Sequence, residues 1–287
     1  MKQKELVSVI IPCYNAEYFI SETITSVLTQ SYTNIELIII NDGSTDNSEK
    51  EILAFDDNRV HYFKIKNQGV SKARNIGVSY AKGEFLAFLD ADDLFDLNNL
   101  EQKTDYLNTY KEIGLVHSLE QIFDHITKKN IKITEGKKGN VLNDLLEMNS
   151  TVIHSPASIL MRHSLFADIG GFDENLSTSA DWEFWVRVAK NTKIGLINVP
   201  LIKYRVHPQQ MHLNVPKMDK DMNYAFDKHQ KLNTFKNKKH YQYCYSKLCL
   251  ILSASYIGDN KNYGIGLKYL IKSILTHSRP LIQRLSR

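Results

Sequence analysis

Covalent staples are scarce in this sequence. Its 287 residues hold three cysteines, Cys13, Cys244 and Cys249, and no CxxC pair, which excludes a disulfide scaffold and a cysteine-rich metal or redox motif. A chain of this length buries about three quarters of the surface its unfolded form exposes, so it folds without such bridges. Reduced thiols fit a cytoplasmic protein. The opening Met-Lys-Gln-Lys-Glu-Leu lacks the apolar core of a signal peptide, and none is expected. The longest apolar patch outside the predicted sheet, Leu248 to Ile257, is too short and too serine-rich to span a bilayer. Glycine-rich phosphate loops are missing too: Gly69 to Gly77 fits neither a Walker loop nor GxGxxG, which argues against a P-loop NTPase and a Rossmann dehydrogenase. Finally, no acid follows Asp259, while Lys261, Lys268, Lys272, Arg279, Arg284 and Arg287 do. On a chain with a net charge of only +4, this basic end predicts a surface that meets anions. Nucleic acid is not among the expected partners.

What is present is organised around Glu84-Phe-Leu-Ala-Phe-Leu-Asp-Ala-Asp-Asp93. The apolar run from Phe85 to Leu89 reads as a buried strand of a parallel sheet. It ends in Asp90, Asp92 and Asp93, of which the first two leave an extended chain on the same side. Paired carboxylates at the carboxyl end of a strand suit Mg²⁺ or Mn²⁺ bridging to a substrate phosphate. The competing reading is a helix cap, for which Asp96 is better placed.

Three further strands precede this one: Val7 to Ile11, Ile35 to Ile40 and Val60 to Ile65. They alternate with amphipathic helices, as right-handed βαβ units require. Polar clusters follow all four strands and therefore share one edge, the place for a nucleotide-type ligand. Tyr14 can stack on a base. Asp42 can accept a base N–H, and Arg74 can reach a base or diphosphate. Ala73 and Gly77 let the third helix lie close to the sheet. The local alternatives are that Pro12 and Asn15 build a turn, that Asp42 and Ser44 start a helix, and that Arg74 is a buried structural arginine.

Beyond about Tyr110 the repeats give way to mixed structure. Ile113 to Phe123 and Lys129 to Thr134 predict a hairpin; a helix near 141–148 and a strand near 157–161 follow. After a flexible Gly170-Gly171 turn, Trp182, Trp185, Val186 and Ala189 form one helical stripe, with Glu183 and Arg187 as an exposed pair. Asp181 sits in the first turn, where an acid also suits the helix dipole. A strand over Ile194 to Arg205 ends in Tyr204-Arg-Val-His207; His207 and His212 lack zinc spacing. The chain from Pro216 is helical. Its stripe of Leu267, Leu270, Ile271, Ile274 and Leu275 beside Lys268 and Lys272 packs on the core or meets an anionic membrane.

Together these clusters resemble the family 2 glycosyltransferases of GT-A fold, over roughly Val7 to His207. The resemblance implies a mixed, mainly parallel α/β sheet flanked by helices. It divides the chain into a catalytic domain over 1–212 and a helical extension over 213–287. Within the catalytic domain, residues 1–110 would bind the nucleotide and residues 111–212 the acceptor. Pro12, Tyr14, Asn15, Asp42, Arg74, Asp90 and Ala91 are then the expected donor contacts. Asp90 and Asp92 of the DxD motif, with His207 of YRxH, are expected to hold Mn²⁺ or Mg²⁺. The family's ED-type motif falls on Ala180-Asp181 and makes Asp181 the expected base. Asp93, Gly171, Phe172, Asp173 and Trp182 are candidates for sugar or acceptor contacts. Two positions depart from the pattern: Ala180 replaces the first acid, and Gln209-Gln210-Met211 replaces a serine-containing continuation.

The implied reaction is inverting transfer from a nucleotide-diphospho-sugar, UDP-linked, to a saccharide or lipid-linked saccharide, in envelope polysaccharide or glycolipid synthesis. The expected place is the cytoplasm, with contact at the inner face of the membrane. A catalytically degenerate nucleotide-sugar binder is the first alternative, favoured by Ala180 alone. A sugar-phosphate nucleotidyltransferase is the second, but Val7 to Asn15 lacks its Gly/Arg-rich loop.

Overall fold

The computed structural model of the chain describes residues 5–148, 151–207 and 214–285. The expected domain boundary at 212/213, the Gln209-Gln210-Met211 segment, His212, Arg287 and the Arg284 side chain lie outside what is described. The first half follows the apolar runs: β1 (Val7–Cys13), α1 (Ile20–Leu28), β2 (Ile35–Asn41), α2 (Ser48–Leu53), β3 (Val60–Lys64), α3 (Val70–Tyr80) and β4 (Phe85–Phe88). β3, β2, β1 and β4 lie side by side in that order, all parallel. Every residue of β1, β2 and β4 is buried, as strands covered on both faces must be. Alternation divides β1: Val7, Val9 and Ile11 enter the core beneath α1, while Ile10 enters the opposite one. α3 approaches closely because a side chain at Gly77 would collide with Ile10.

The second half runs β5 (Leu94–Phe95), α4 (Asn99–Thr109), β6 (Ile113–Asp124), β7 (Asn130–Ile133), α5 (Leu142–Glu147), β8 (Ile159–Arg162), α6 (His163–Ile169), α7 (Ala180–Asn191) and β9 (Lys193–Val206). It extends the sheet in the order β4-β8-β6-β9-β5. β8 is antiparallel to both neighbours, whereas β6 and β9 are parallel. The sheet is therefore mixed, and β6 with β7 is the expected hairpin. The extension is helical: α8 (Val215–Lys231), α9 (Lys238–Gly258), α10 (Tyr263–Thr276) and α11 (Arg279–Leu285). Among the described residues no helix is long and apolar enough to cross a membrane.

Several local expectations need correction. Ser44 does not start α2; its hydroxyl accepts the Asn15 N–H, and Asp46 receives the Ser48 N–H. Asp96 does not cap α4 directly; Gln30 reaches from beyond α1 to take the Leu100 N–H. Glu183 and Arg187 are not a solvated pair, because Glu183 is fully buried and also binds Lys228 of α8 at 2.8 Å. The Gly170-Gly171 turn is pinned: Arg187 donates to the carbonyls of Ile169, Gly170 and Gly171. α10 packs on α9 through Gly266 and Ser273, both buried, Ser273 meeting the Ser246 hydroxyl. Its apolar stripe is left outward: Leu267, Ile271, Ile274 and Leu275 are exposed.

Candidate active site

A cleft of about 480 Å³ opens at the carboxyl ends of β1, β2 and β4. This is where β1 and β4 part company topologically, since α1 leaves on one face and α3 arrives on the other. Pro12, Tyr14, Asn15, Asp42, Arg74, Asp90, Ala91, Asp92, Asp93, Asp181 and His207, scattered over the sequence, all line it. Tyr14 stands half exposed at the rim. Asn15 adopts a positive φ of 50°, tolerated by asparagine, and its side-chain oxygen accepts the Thr45 N–H. Asp42 is buried and takes the Gln68 and Gly69 N–H groups, each at 2.8 Å. Two carboxylate oxygens offer about four acceptor positions, so room remains for a base N–H.

Arg74 is held between carboxylates. It is buried, and it clamps the two acids at the centre of the cleft: Nη2 donates to Asp90 at 2.7 Å and Nη1 to Asp181 at 2.8 Å. Its Nε has no partner among the described residues, and the guanidinium lies 5.2 Å from the centre of the Phe172 ring. Burial pushes the Asp181 carboxyl above the ordinary carboxylate range; Arg74 opposes that rise and Asp90 adds to it. Asp181 is nonetheless about one third exposed, so it meets solvent through the cleft.

Asp92 turns the other way and meets His207, Oδ2 to Nε2 at 2.8 Å. Asp90 is thus held by Arg74 and Asp92 by His207. Oxygen and imidazole ligands suit a divalent cation such as Mg²⁺ or Mn²⁺, and Asp92 with His207 are the residues here that would hold one. Among the described residues no group of three or more His, Cys, Asp or Glu side chains forms a self-sufficient cage. Charge supports the fit: five carboxylates line the cleft, and its buried cation already serves two of them.

Residues that the sequence did not single out complete the site. Arg205 is fully buried; it donates to the Asp92 carbonyl at 2.6 Å, to Glu22 at 2.7 Å, and through its backbone N–H to Asp93 at 2.9 Å. It fixes the loop that carries the acids. The Asp93 carboxyl is held well above its usual range by burial, then by Asp92 and Asp90. Its second oxygen has no partner among the described residues. Ser177 and Thr178 enter the cleft beside Asp181, and their N–H groups donate to the buried Asp221 of α8. Lys217, also on α8, adds a cation to the wall. The YRxH segment was the one sequence signal for Arg205; the α8 residues had none.

A second cavity, about 540 Å³, shares Thr178 and Asp181 with the first. Trp182 lines it, stacked on Phe226 with its Nε1 bound to the Leu145 carbonyl. The other acceptor candidates line neither cavity, apart from Asp93 in the cleft. Gly171 packs against Asn75, Phe172 is buried beneath Arg74, and Asp173 binds Lys228 at 2.7 Å.

Comparison with known proteins fits this geometry. An uncharacterised glycosyltransferase of Rickettsia conorii is 34% identical over 71% of this chain, which spans about a third (35%) of that relative's length. The Escherichia coli enzyme WfgD, named as a UDP-Glc:α-D-GlcNAc-diphosphoundecaprenol β-1,3-glucosyltransferase, is 29% identical over 73% of this chain and 80% of its own. Among solved structures, S. aureus TarS 1-349 in complex with UDP-GlcNAc superposes with a TM-score of 0.67 at 19% identity, covering 94% of this chain and 79% of that one; at this identity it shows a shared fold. The sequence profile described as glycosyl transferase family 2 matches residues 8–170, the stretch that builds the β1–β4 edge of the cleft, and the chain belongs to that family.

Proposed function

We propose that the chain moves a hexose from a UDP-sugar to an acceptor hydroxyl with inversion at the anomeric carbon, and that Asp181 is the base. The observation that carries this reading is the place of Asp181: a partly sheltered carboxylate shared by the donor cleft and the second cavity. Its raised affinity for a proton, caused first by burial, improves it as a general base. As the acceptor oxygen attacks the anomeric carbon, Asp181 takes its proton. The carbon–oxygen bond to the diphosphate breaks on the opposite face, and UDP leaves with the bonding electrons. Arg74 positions Asp181 and Asp90. Asp42 accepts the base N–H, and Tyr14 stacks on the base. Asp92 and His207 would hold Mn²⁺ or Mg²⁺, which supplies charge compensation to the departing diphosphate. Lys217 adds to that field.

The UDP-GlcNAc complex of TarS supports UDP as the nucleotide, and the named acceptor of WfgD supports a lipid-linked saccharide. Ala180 is fully buried in the core, a packing position, and so does not argue for a degenerate binder. The outward stripe of α10 beside Lys268 and Lys272 supports peripheral binding to an anionic membrane. The test is Asp181→Asn. It should reduce acceptor-dependent UDP release by about 10²–10⁴-fold, while UDP continues to raise the melting temperature. Near-normal release by a folded Asp181→Asn protein refutes the assignment, and pyrophosphate as product would instead indicate nucleotidyl transfer.

A further inference from the structure

The second cavity differs in chemistry from the first. Val152, Trp185, Met222, Leu248 and Leu252 are among the apolar side chains in its wall, and α8 and α9 of the extension supply the last three. Its volume lies within the span of small-molecule sites, about 300–1,000 Å³. One polar side chain in that wall is held in an unusual way. His154 is partly exposed, and its Nδ1 lies 2.7 Å from Oε2 of Glu120, whose side chain is fully buried. The other Glu120 oxygen accepts the Ser155 hydroxyl at 2.8 Å, and the Tyr204 ring meets the His154 ring edge to face. A carboxylate only accepts hydrogen bonds, so Glu120 fixes the proton on Nδ1. Nε2 has no hydrogen-bond partner among the described residues, and it remains available to a ligand in the chamber. At one end the chamber is bounded by Asp181.

We propose that this chamber takes the apolar chain of a glycolipid-type acceptor, and that His154 is a positioning residue hydrogen-bonded to its sugar. The proposal rests on the transferase reading above, because sharing Asp181 makes the chamber the acceptor's side of the reaction. Apolar walls are what an alkyl chain gains by leaving water. A free soluble saccharide would leave them without a partner. The rim residue Ile251 of α9 is 37% exposed, which places the chain's exit at the extension, on the helix that carries α10.

The chamber reports on itself. The chain has two tryptophans, Trp182 and Trp185, and both line it. Tryptophan emission should therefore respond saturably to hexyl, octyl and decyl β-glucosides below micelle formation. Affinity should rise about tenfold for every two methylenes added, since each buried CH₂ contributes about 0.8 kcal/mol. Ile251→Arg, at an exposed position that tolerates it, should flatten this dependence. His154→Ala should weaken all three glucosides in parallel, by about three- to tenfold for one lost hydrogen bond, and keep the chain-length slope. An absent or unsaturable response, a slope of zero in the wild type, or a slope unaffected by Ile251→Arg overturns the chamber. A His154→Ala protein that binds like wild type overturns the role of His154. Stabilisation by UDP, measured in parallel, reports the donor site separately: its loss beside an intact glucoside response would refute the transferase reading and leave the chamber standing.

Discussion

Replacing Arg74 with methionine removes the charge that joins the two halves of the active site while keeping most of the side chain's bulk. In the structure this guanidinium is 4% exposed, and it makes one ion pair to Asp90 and one to Asp181, which are 29% and 32% exposed. Losing one partner of a fully buried pair costs about 3–5 kcal/mol. Water can reach both carboxylates here, so we expect a stability loss of about 2–3 kcal/mol. The larger consequence concerns Asp181. Burial already raises its pKa, and Arg74 is the group that opposes the rise. An adjacent arginine lowers a carboxyl pKa, so in Arg74→Met the carboxyl climbs further. A base works only in its ionised form; the acid limb of the kcat profile should therefore move to higher pH. The stability sign follows the same group. A carboxyl whose folded pKa exceeds its unfolded value binds the proton more tightly when folded. Its contribution is full below the unfolded pKa and is lost as pH rises through the folded one. Arg74→Met should thus lose more stability at pH 8 than at pH 4. Urea midpoints at the two pH values and a pH–rate profile give both readouts. An acid limb that stays put, or moves to lower pH, would show that Arg74 does not govern Asp181.

Three further outcomes are expected. Asp92→Asn should remove most of the Mn²⁺ dependence of UDP binding in calorimetry, because Asp92 and His207 are the residues proposed to hold the ion; undiminished metal dependence would exclude Asp92 as a ligand. Glu183→Gln should lower the urea midpoint by an amount equal to about 2–4 kcal/mol, somewhat below a fully buried pair because Lys228 is 27% exposed; a loss under 1 kcal/mol would show that the α7–α8 contact does not depend on charge. Leu267→Asp with Leu275→Asp, both at exposed positions, should abolish sedimentation with anionic vesicles without changing the melting temperature. Vesicle binding that survives the pair excludes α10 as the contact.

The β1–β4 edge was legible because its signals are local. A run such as Val7 to Ile11 declares a strand covered on both faces, and each polar cluster must then fall on one edge. The positions of Tyr14, Asn15, Asp42 and the three acids follow from that alone. What Arg74 does could not be read the same way. Its partner Asp181 lies 107 residues away, and a lone arginine on a helix points equally well to a phosphate. The partners of the acids were hidden for a related reason: regular strand ends at Phe88, and beyond it Asp90 meets Arg74 and Asp92 meets His207. Glu183 was misread because i,i+4 spacing with Arg187 is the mark of a solvated pair; only the packing of α8, with Lys228, makes that face interior.

The helical extension is the region that spacing described least, and the active site depends on it most unexpectedly. The family profile ends at residue 170, whereas Asp181, His207, Lys217 and Asp221 all lie beyond it. Asp221 takes the Ser177 and Thr178 N–H groups next to Asp181, and Lys228 reaches Glu183 on the helix that bears Asp181. The extension is thus tied to the chain on both sides of Asp181. The cleft proposed for the donor lies at the ends of β1, β2 and β4 and beside α3. The cavity proposed for the acceptor is lined by side chains of α5, α7, α8 and α9. Substitution at Met218, Met222 or Ile251 can reshape that wall without disturbing the sheet. Change in acceptor preference should therefore arise in the extension, while the nucleotide stays fixed by the sheet edge.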